Sequence, residues 1–485
     1  MKPVTRDDLI KIGQVVYQVP RSFRHDMRVP AHFYADDEIV TKALEDRSLE
    51  QLVNTATLPG IVGQAMAMPD IHQGYGFPIG GVVATRVPDG VISPGGVGYD
   101  INCGIRVLGS RLDADEIRPY LDKLADALYR HLPSGVGVKG HLHINKAELD
   151  QILVDGSRWA LREGYARPED VAHTEEGGRM AGADPAKVSK AAKERGLEQV
   201  GTLGSGNHFA EIDVVTEVYD PHAADVLGLR RGQAAVQVHC GSRGLGHQVA
   251  TDYIELFQRA SNRFGFQLPD RQLVCAPLDS PEGQGYLAAM NCAANYAWAN
   301  RQVLTHHVRE AFAEVLGDMF RPDDLYVVYD VAHNMAKIET HLVEGRPTRV
   351  CVHRKGATRA FGPGHPDVPA DYRPVGQPVL VPGSMGTASY ILVGTAESMT
   401  QTFGSCCHGA GRVMSRAEAK RNVRGERLRS ELAEDGIVLR AGSLAGLAEE
   451  APQAYKDVDR VVQVVEAAGI ARIVAKLEPL AVIKG

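Results

Sequence analysis

The chain has 485 residues, 44% of them apolar and 23% charged, which is the balance of an ordinary globular protein. No apolar run approaches the roughly 18 residues that span a bilayer, and residues 1–8 lack the apolar stretch of a signal peptide, so a cytoplasmic protein without a membrane partner is expected. A net charge of −7 excludes a global basic field for nucleic acid, so any polyanion must be held by a local cluster; seven cysteines without regular spacing fit free thiols better than a disulfide framework.

Residues 1–50 read as a mixed opening of short helices and strands with no evident chemistry. A glycine-rich loop over 68–81 carries Asp70 and His72 and runs into a strand at 82–85. The stretch 93–104, Ser-Pro-Gly-Gly-Val-Gly-Tyr-Asp-Ile-Asn-Cys-Gly, sets Asp100 and Cys103 three residues apart on a backbone that glycine lets approach a ligand closely. That is half of a metal site, or else a tight turn before a strand at 105–108 with Cys103 as a small core residue. Ile117, Leu121, Leu124 and Leu128 have helical spacing. Residues 145–198 are polar and helical in character, a solvated face or, less simply, a lid, with a flexible-looking patch at 175–184.

Glycines over 201–206 lead to Asn207 and His208 and a strand at 209–214. A β-branched run ending in His239 turns through glycines into a helix near 247. A third run, 325–332, delivers His333 and Asn334, with a helix expected over 335–339. Three strands each presenting a histidine, in a chain that also holds Asp100 and Cys103, point to a metal centre.

Positive charge gathers at Arg354, Lys355 and Arg359. Residues 376–387 read as strand and glycine turn before a strand at 390–393; the exposed N–H groups could cradle a phosphate or a base edge, or the segment is a plain hairpin. It is not a P-loop, because no Gly-Lys dipeptide occurs in the chain. His408 stands just ahead of Gly409-Ala410-Gly411, and a helix over 413–421 would put the histidine at its N-terminus. There the macrodipole favours phosphate and disfavours imidazolium, keeping the ring a neutral nucleophile. Cys406 and Cys407 read as buried thiols. Arg412, Arg416, Lys420, Arg421 and Arg424 offer a basic surface for a phosphate backbone. The apolar tail 480–485 should pack back into the body and place Lys484 in a pocket.

Together, 69–81, 96–104, 204–211, 238–246, 332–337, 354–359, 382–387 and 407–412 resemble the signatures of the RtcB family of RNA ligases, in the family's order and nearly end to end. The resemblance implies a GTP-dependent ligase in which His408 takes up GMP from GTP. It implies two Mn²⁺ ions bridged by Cys103, one completed by Asp100 and His208 and the other by His239 and His333. Guanylate contacts would come from Asn207, His208, Phe209, Ala210, Glu211, His333, Asn334, Pro382, Gly383, Ser384, Met385, Ser389, the 408–411 stretch with Gly409, Ala410 and Gly411, Tyr455 and Lys484. RNA phosphates would meet Arg243, Arg354, Lys355, Arg412 and Arg416, with Asp70 near the reaction centre. The RNA would be tRNA halves or broken RNA, the protein a monomer, and an archease-type activator a possible partner.

The ligand types alone suit Zn²⁺ at least as readily as Mn²⁺. Other readings are a metal-dependent RNA cyclic phosphodiesterase, an enzyme that caps 3′ ends with GMP without sealing, and an RNA-binding factor with a relict site. Lysine-based nucleotidyl transfer is disfavoured because no Lys-x-Asp-Gly occurs. The expected fold is mixed α/β (α+β), one large domain over 1–485, with a sheet core, flanking helices and a deep cleft.

Overall fold

The computed structural model describes residues 3–485, whose strands are dominated by two large sheets. In the first, Ile10–Lys11, Val16–Val19, Ala31–Tyr34, Ala65–His72, Ile79–Arg86, Arg346–Lys355 and Asn334–Val343 lie side by side in that order. In the second the order is Leu325–Ala332, Gly104–Asp113, Gln233–Cys240, Phe209–Val218, Ala471–Lys484, Ser389–Gly394 and Pro378–Val381. The expected mixed α/β fold is what forms. Gln233–Cys240 is buried at every position, as a mainly apolar strand covered on both faces should be.

His333 is the one residue between Leu325–Ala332 of the second sheet and Asn334–Val343 of the first. The chain therefore changes sheet at a predicted metal ligand. The helix expected over 335–339 is a strand instead. Asn334–Val343 pairs with Arg346–Lys355 through unbroken antiparallel register, and the turn residues Glu344 and Gly345 both have positive φ, +51° and +75°. That backbone is the two-residue hairpin turn that matches strand twist, and it overrides the short helical spacing before it.

The helix Pro281–Leu316 runs buried for most of its length. Pro281 opens it, the Ser280 side chain caps it by accepting from the Gly283 N–H at 3.0 Å, and small residues such as Ala293, Ala294 and Ala297 allow close packing. Against it pack Leu149, Ile152, Leu153, Trp159 and Ala160. Residues 145–198 thus bury one side against this helix, while most of the segment stays half-buried or exposed, as a solvated helical face does. The 175–184 patch is also tied in. Glu175 is buried, accepts from Ala332 N–H at 2.8 Å and pairs with Lys337, and Glu176 pairs with Lys337 at 3.0 Å and Arg359 at 2.6 Å. Buried cations require such partners. The helical spacing of Ile117, Leu121, Leu124 and Leu128 holds, although Pro119 interrupts it with a single tighter turn, Arg118–Tyr120, before Leu121–His131.

Asp330 is fully buried and accepts from two fully buried guanidiniums, Arg106 at 2.8 Å and Arg301 at 2.7 Å. Replacing Asp330 by Ala leaves both cations uncompensated. We expect a loss of about 3–5 kcal/mol in denaturant unfolding; a loss below about 1 kcal/mol would show that the two arginines find other partners.

Candidate metal and nucleotide site

The Asp100–Cys103 loop is held from three sides. Asn102 takes a left-handed conformation, φ +51°, and its N–H donates to Asn334 O at 2.8 Å. Arg301 of the buried helix donates to Asn102 O at 2.8 Å and to Asn102 Oδ1 at 3.0 Å. Asn334 Nδ2 donates to Asp100 O at 3.0 Å, and His333 N–H to Cys103 O at 2.9 Å. Asp100 presses against Gly241 so closely that a Cβ there would lie 2.4 Å from its carboxylate oxygen. The glycine is required by that approach.

These restraints bring the predicted ligands together. Cys103 Sγ lies 3.5 Å from His208 Nε2 and 3.3 Å from His239 Nε2; His239 Nε2 lies 3.2 Å from His333 Nε2, and His208 Nε2 lies 2.8 Å from Asp100 Oδ2. Two donor groups result, Asp100–Cys103–His208 and Cys103–His239–His333, and the cysteine belongs to both. His208 Nδ1 faces Leu203 O at 3.0 Å, which orients the ring with Nε2 inward. Burial pushes His239 and His333 well below the ordinary imidazole range, leaving neutral rings with a lone pair to offer. Burial would raise the Asp100 carboxyl, but the His208 hydrogen bond and the Arg243 charge hold it well down, so it is a carboxylate. Burial, with the Asp100 charge adding, pushes the Cys103 thiol up to about 12. Only a cation at the sulfur favours the thiolate there. The donor chemistry fits a pair of divalent ions sharing one sulfur.

His408 does not cap a helix. It follows the short strand Ser405–Cys407, and the next helix, Arg416–Asn422, begins eight residues on, capped by Ser415. Gly409 and Gly411, the latter with φ +76°, favour an irregular approach instead. What orients the imidazole is Asp70: its Oδ2 accepts from the His408 N–H at 2.9 Å and lies 2.5 Å from His408 Nδ1. Asp70 is fully buried, and its other oxygen has no partner. The His408 and His333 rings are 4.9 Å apart, edge to face.

A cleft of about 840 Å³ opens over this cluster. Its walls include Asp100, Cys103, Asn207, Phe209, His239, His333, Asn334, residues 382–385, His408, residues 409–412, Arg416, Tyr455 and Lys484. The C-terminal strand places Lys484 opposite Phe209 in register, with Nζ 5.8 Å from the ring centre. Burial lowers the Lys484 pKa, against the pull of Glu450 and Glu211. Glu211 and Ala210 lie buried beneath this wall, Glu211 with its carboxyl raised by burial and by Asp213. Ser389 Oγ accepts from Gly383 N–H at 3.2 Å and so braces the 382–385 turn.

The basic candidates divide. Arg354 is buried in a two-pronged pair with Glu339, 2.6 and 2.9 Å, and donates to Ser405 Oγ and Phe403 O. Lys355 is buried, donates to Tyr75 O and Phe77 O, and is pushed down to about 7 by burial. Neither faces the cleft, which corrects the expectation that they meet RNA: a strand between two layers turns these side chains inward. Arg243 is half-buried and donates to Thr202 Oγ1 at 3.1 Å. Arg412 and Arg416 line the cleft, paired with Glu450 at 3.2 and 3.1 Å, and Lys420 pairs with Glu449. The acidic pair 449–450 was missed in sequence; the unusual density of arginine over 412–424 was the only hint that a counter-charge was needed. Lys456, at the same cleft, was also missed; it donates to Ile71 O and Pro69 O and is pushed down to about 8 by burial.

Fold and geometry define a mixed α/β protein whose strand ends carry a thiol-sharing metal-donor cluster at the floor of a deep polar cleft. The sequence model of the family described as "tRNA-splicing ligase RtcB" matches residues 51–485. Proteins named tRNA-splicing ligase RtcB from Thermococcus kodakarensis and Archaeoglobus fulgidus are 55% and 54% identical to the chain, each over 98% of it and 99% of their own length. One from Methanococcus maripaludis is 48% identical over 99% of this chain and all of its own. The chain belongs to the RtcB family of RNA ligases. Among the described residues, no helix is long and apolar enough to cross a membrane.

Proposed function

We propose that the protein is a GTP- and Mn²⁺-dependent ligase that joins RNA 2′,3′-cyclic phosphate or 3′-phosphate ends to 5′-hydroxyl ends, on tRNA halves or broken RNA. The observation that carries this reading is the buried Asp70 carboxylate against His408 Nδ1. It accepts the Nδ1 proton and leaves the Nε2 lone pair for the α-phosphorus of GTP, as an orienting carboxylate does for other nucleophilic or basic histidines. The Nε2–P bond forms, pyrophosphate leaves, and His408 carries GMP. A cyclic end is first opened by water to a 3′-phosphate; that 3′-phosphate then attacks the phosphorus held on His408, the Nε2–P bond breaks, and an RNA-3′-pp-5′-G end forms. Attack by the 5′-hydroxyl makes the phosphodiester and expels GMP.

Phe209, residues 382–385, Tyr455 and Lys484 would hold the nucleotide, with Asn207, Glu211, Asn334 and Ser389 supporting it. Asp100, Cys103 and His208 would hold one ion, and Cys103, His239 and His333 the other. Bound there, divalent cations neutralise charge building on phosphoryl oxygens. Mn²⁺ rests on the family resemblance, since the donor set accepts Zn²⁺ as readily. Arg243, Arg412 and Arg416 are the residues proposed to meet RNA. Site residues drawn from position 70 to 484 favour one ligase unit over 1–485. The protein would act as a cytoplasmic monomer with an archease-type protein as its activator.

Purified protein given GTP, Mn²⁺ and two RNA fragments, one ending in a 2′,3′-cyclic phosphate and one beginning with a 5′-hydroxyl, is expected to give a joined product resolved by gel electrophoresis. Opening of the cyclic phosphate without joining would leave the phosphodiesterase, and a guanylylated but unjoined 3′ end the capping enzyme.

A further inference from the structure

A second group of metal-type donors lies away from the cleft, where the helix Leu121–His131 ends beside Pro281–Leu316. Glu310 Oε2 is 2.9 Å from His307 Nδ1 and 3.8 Å from His131 Nδ1, and the three donor atoms all lie within 4.8 Å of one another. His306 Nε2 approaches the other Glu310 oxygen at 3.3 Å. Three imidazoles thus converge on one carboxylate. His131 Nε2 is 2.9 Å from Glu314 Oε2, and Glu314 is itself fixed by Arg130 at 2.6 Å. When Nε2–H donates to Glu314, His131 Nδ1 is left free to bind a cation lying between it and the Glu310 carboxylate. A carboxylate behind a histidine's far nitrogen is the usual support of an imidazole metal ligand.

We propose that His131, His307 and Glu310 form an additional, solvent-accessible site for a zinc-type divalent ion that clips the two helices together. Ligand atoms on a tetrahedral ion with bonds of about 2.0–2.2 Å stand roughly 3.4 Å apart, and the separations of 2.9 and 3.8 Å straddle that value. Two imidazoles and a carboxylate suit Zn²⁺ rather than Mg²⁺ or Ca²⁺. His306 or water takes the fourth position. The clip is mechanically connected to the cleft. The chain leaving His131 holds the loop that delivers His208, through Leu203 N–H to Pro133 O at 2.9 Å and Gly135 N–H to Gly204 O at 2.8 Å. The site contains no sulfur, so bound Co²⁺ would lack the thiolate charge-transfer absorption of a cysteine centre.

The test is Zn²⁺ titration of chelator-stripped protein against a chromophoric competitor, in the wild type and in a Cys103→Ala background. Glu310→Gln and His131→Asn are expected to hold one equivalent fewer than their parent in both backgrounds. Glu314→Gln is expected to keep the equivalent but bind it about 10–100-fold more weakly. Zn²⁺ should raise the melting temperature of the Cys103→Ala protein, and this rise should vanish with Glu310→Gln. Equal stoichiometry in parent and variants, or half-saturation only at millimolar Zn²⁺, would overturn the site.

Discussion

His408→Ala is expected to abolish the covalent species formed with α-labelled GTP and to lower end joining by at least about 10⁴-fold, the scale of losing a nucleophile. The adduct should be acid-labile and alkali-stable, as a phosphoramidate is, and the readout is label retained on denaturing gels. Asp70→Asn is the sharper companion. It keeps the size of the side chain at a fully buried position but removes the charge 2.5 Å from Nδ1. An amide can donate toward Nδ1 and turn the wrong tautomer toward substrate, so labelling should slow on the order of 10²–10⁴-fold while GTP binding persists. Gly411 belongs to the same arrangement: its φ is +76°, and a Cβ there would lie 2.2 Å from Asp70 O. Full labelling of His408→Ala would move the nucleophile elsewhere; full labelling of Asp70→Asn alone would leave His408 the nucleophile without its orienting partner.

The sequence could single out His408 but not the group that orients it. The segment was recognisable, but its field was misassigned, because a basic run rich in helix formers hid the point at which the helix starts. Ser415, a good cap, marks that start. The orienting carboxylate is 338 residues away in sequence, and no local pattern encodes that pairing. The metal donors were legible for the opposite reason. Asp100, Cys103, His208 and His239 lie beside glycine turns and His333 at the end of a strand, where periodicity stops and chemistry-bearing residues stand out. Arg354 and Lys355 failed because composition reports charge but not facing. Each lies on a strand packed between layers, where Glu339 and the carbonyls of Tyr75 and Phe77 take up the charge. The Asn334–Val343 strand was misread because a short segment with mixed spacing is decided by its partner and its turn.

Cys103 is the residue whose loss should reach furthest through the donor cluster. Asp100 and His208 belong to one donor group and His239 and His333 to the other, but Cys103 Sγ belongs to both. Cys103→Ser, which nearly conserves volume, is expected to lower the cleft's occupancy below that of either His333→Ala or Asp100→Ala, because a neutral hydroxyl is a poor shared donor beside four other ligands. Guanylylation should fall by at least about 10³-fold, on the scale of losing preorganised charge stabilisation. A pH signature separates this from a folding defect. Burial holds the thiol up at about 12, so binding must displace its proton over the whole working range. Apparent affinity should rise by at least about tenfold per pH unit between pH 6.5 and 8.5, because the thiol releases one proton and His208, which the neighbouring thiols and Asp100 hold well above the ordinary imidazole range against burial, releases another. His239 and His333, already held neutral by burial, should contribute no such slope. Residual binding in Cys103→Ser should therefore be weak and keep only the shallower slope that His208 contributes, when measured by equilibrium dialysis. A wild-type slope near zero would mean that the sulfur stays protonated and takes no part, whereas a slope undiminished in Cys103→Ser would place every displaced proton on other groups.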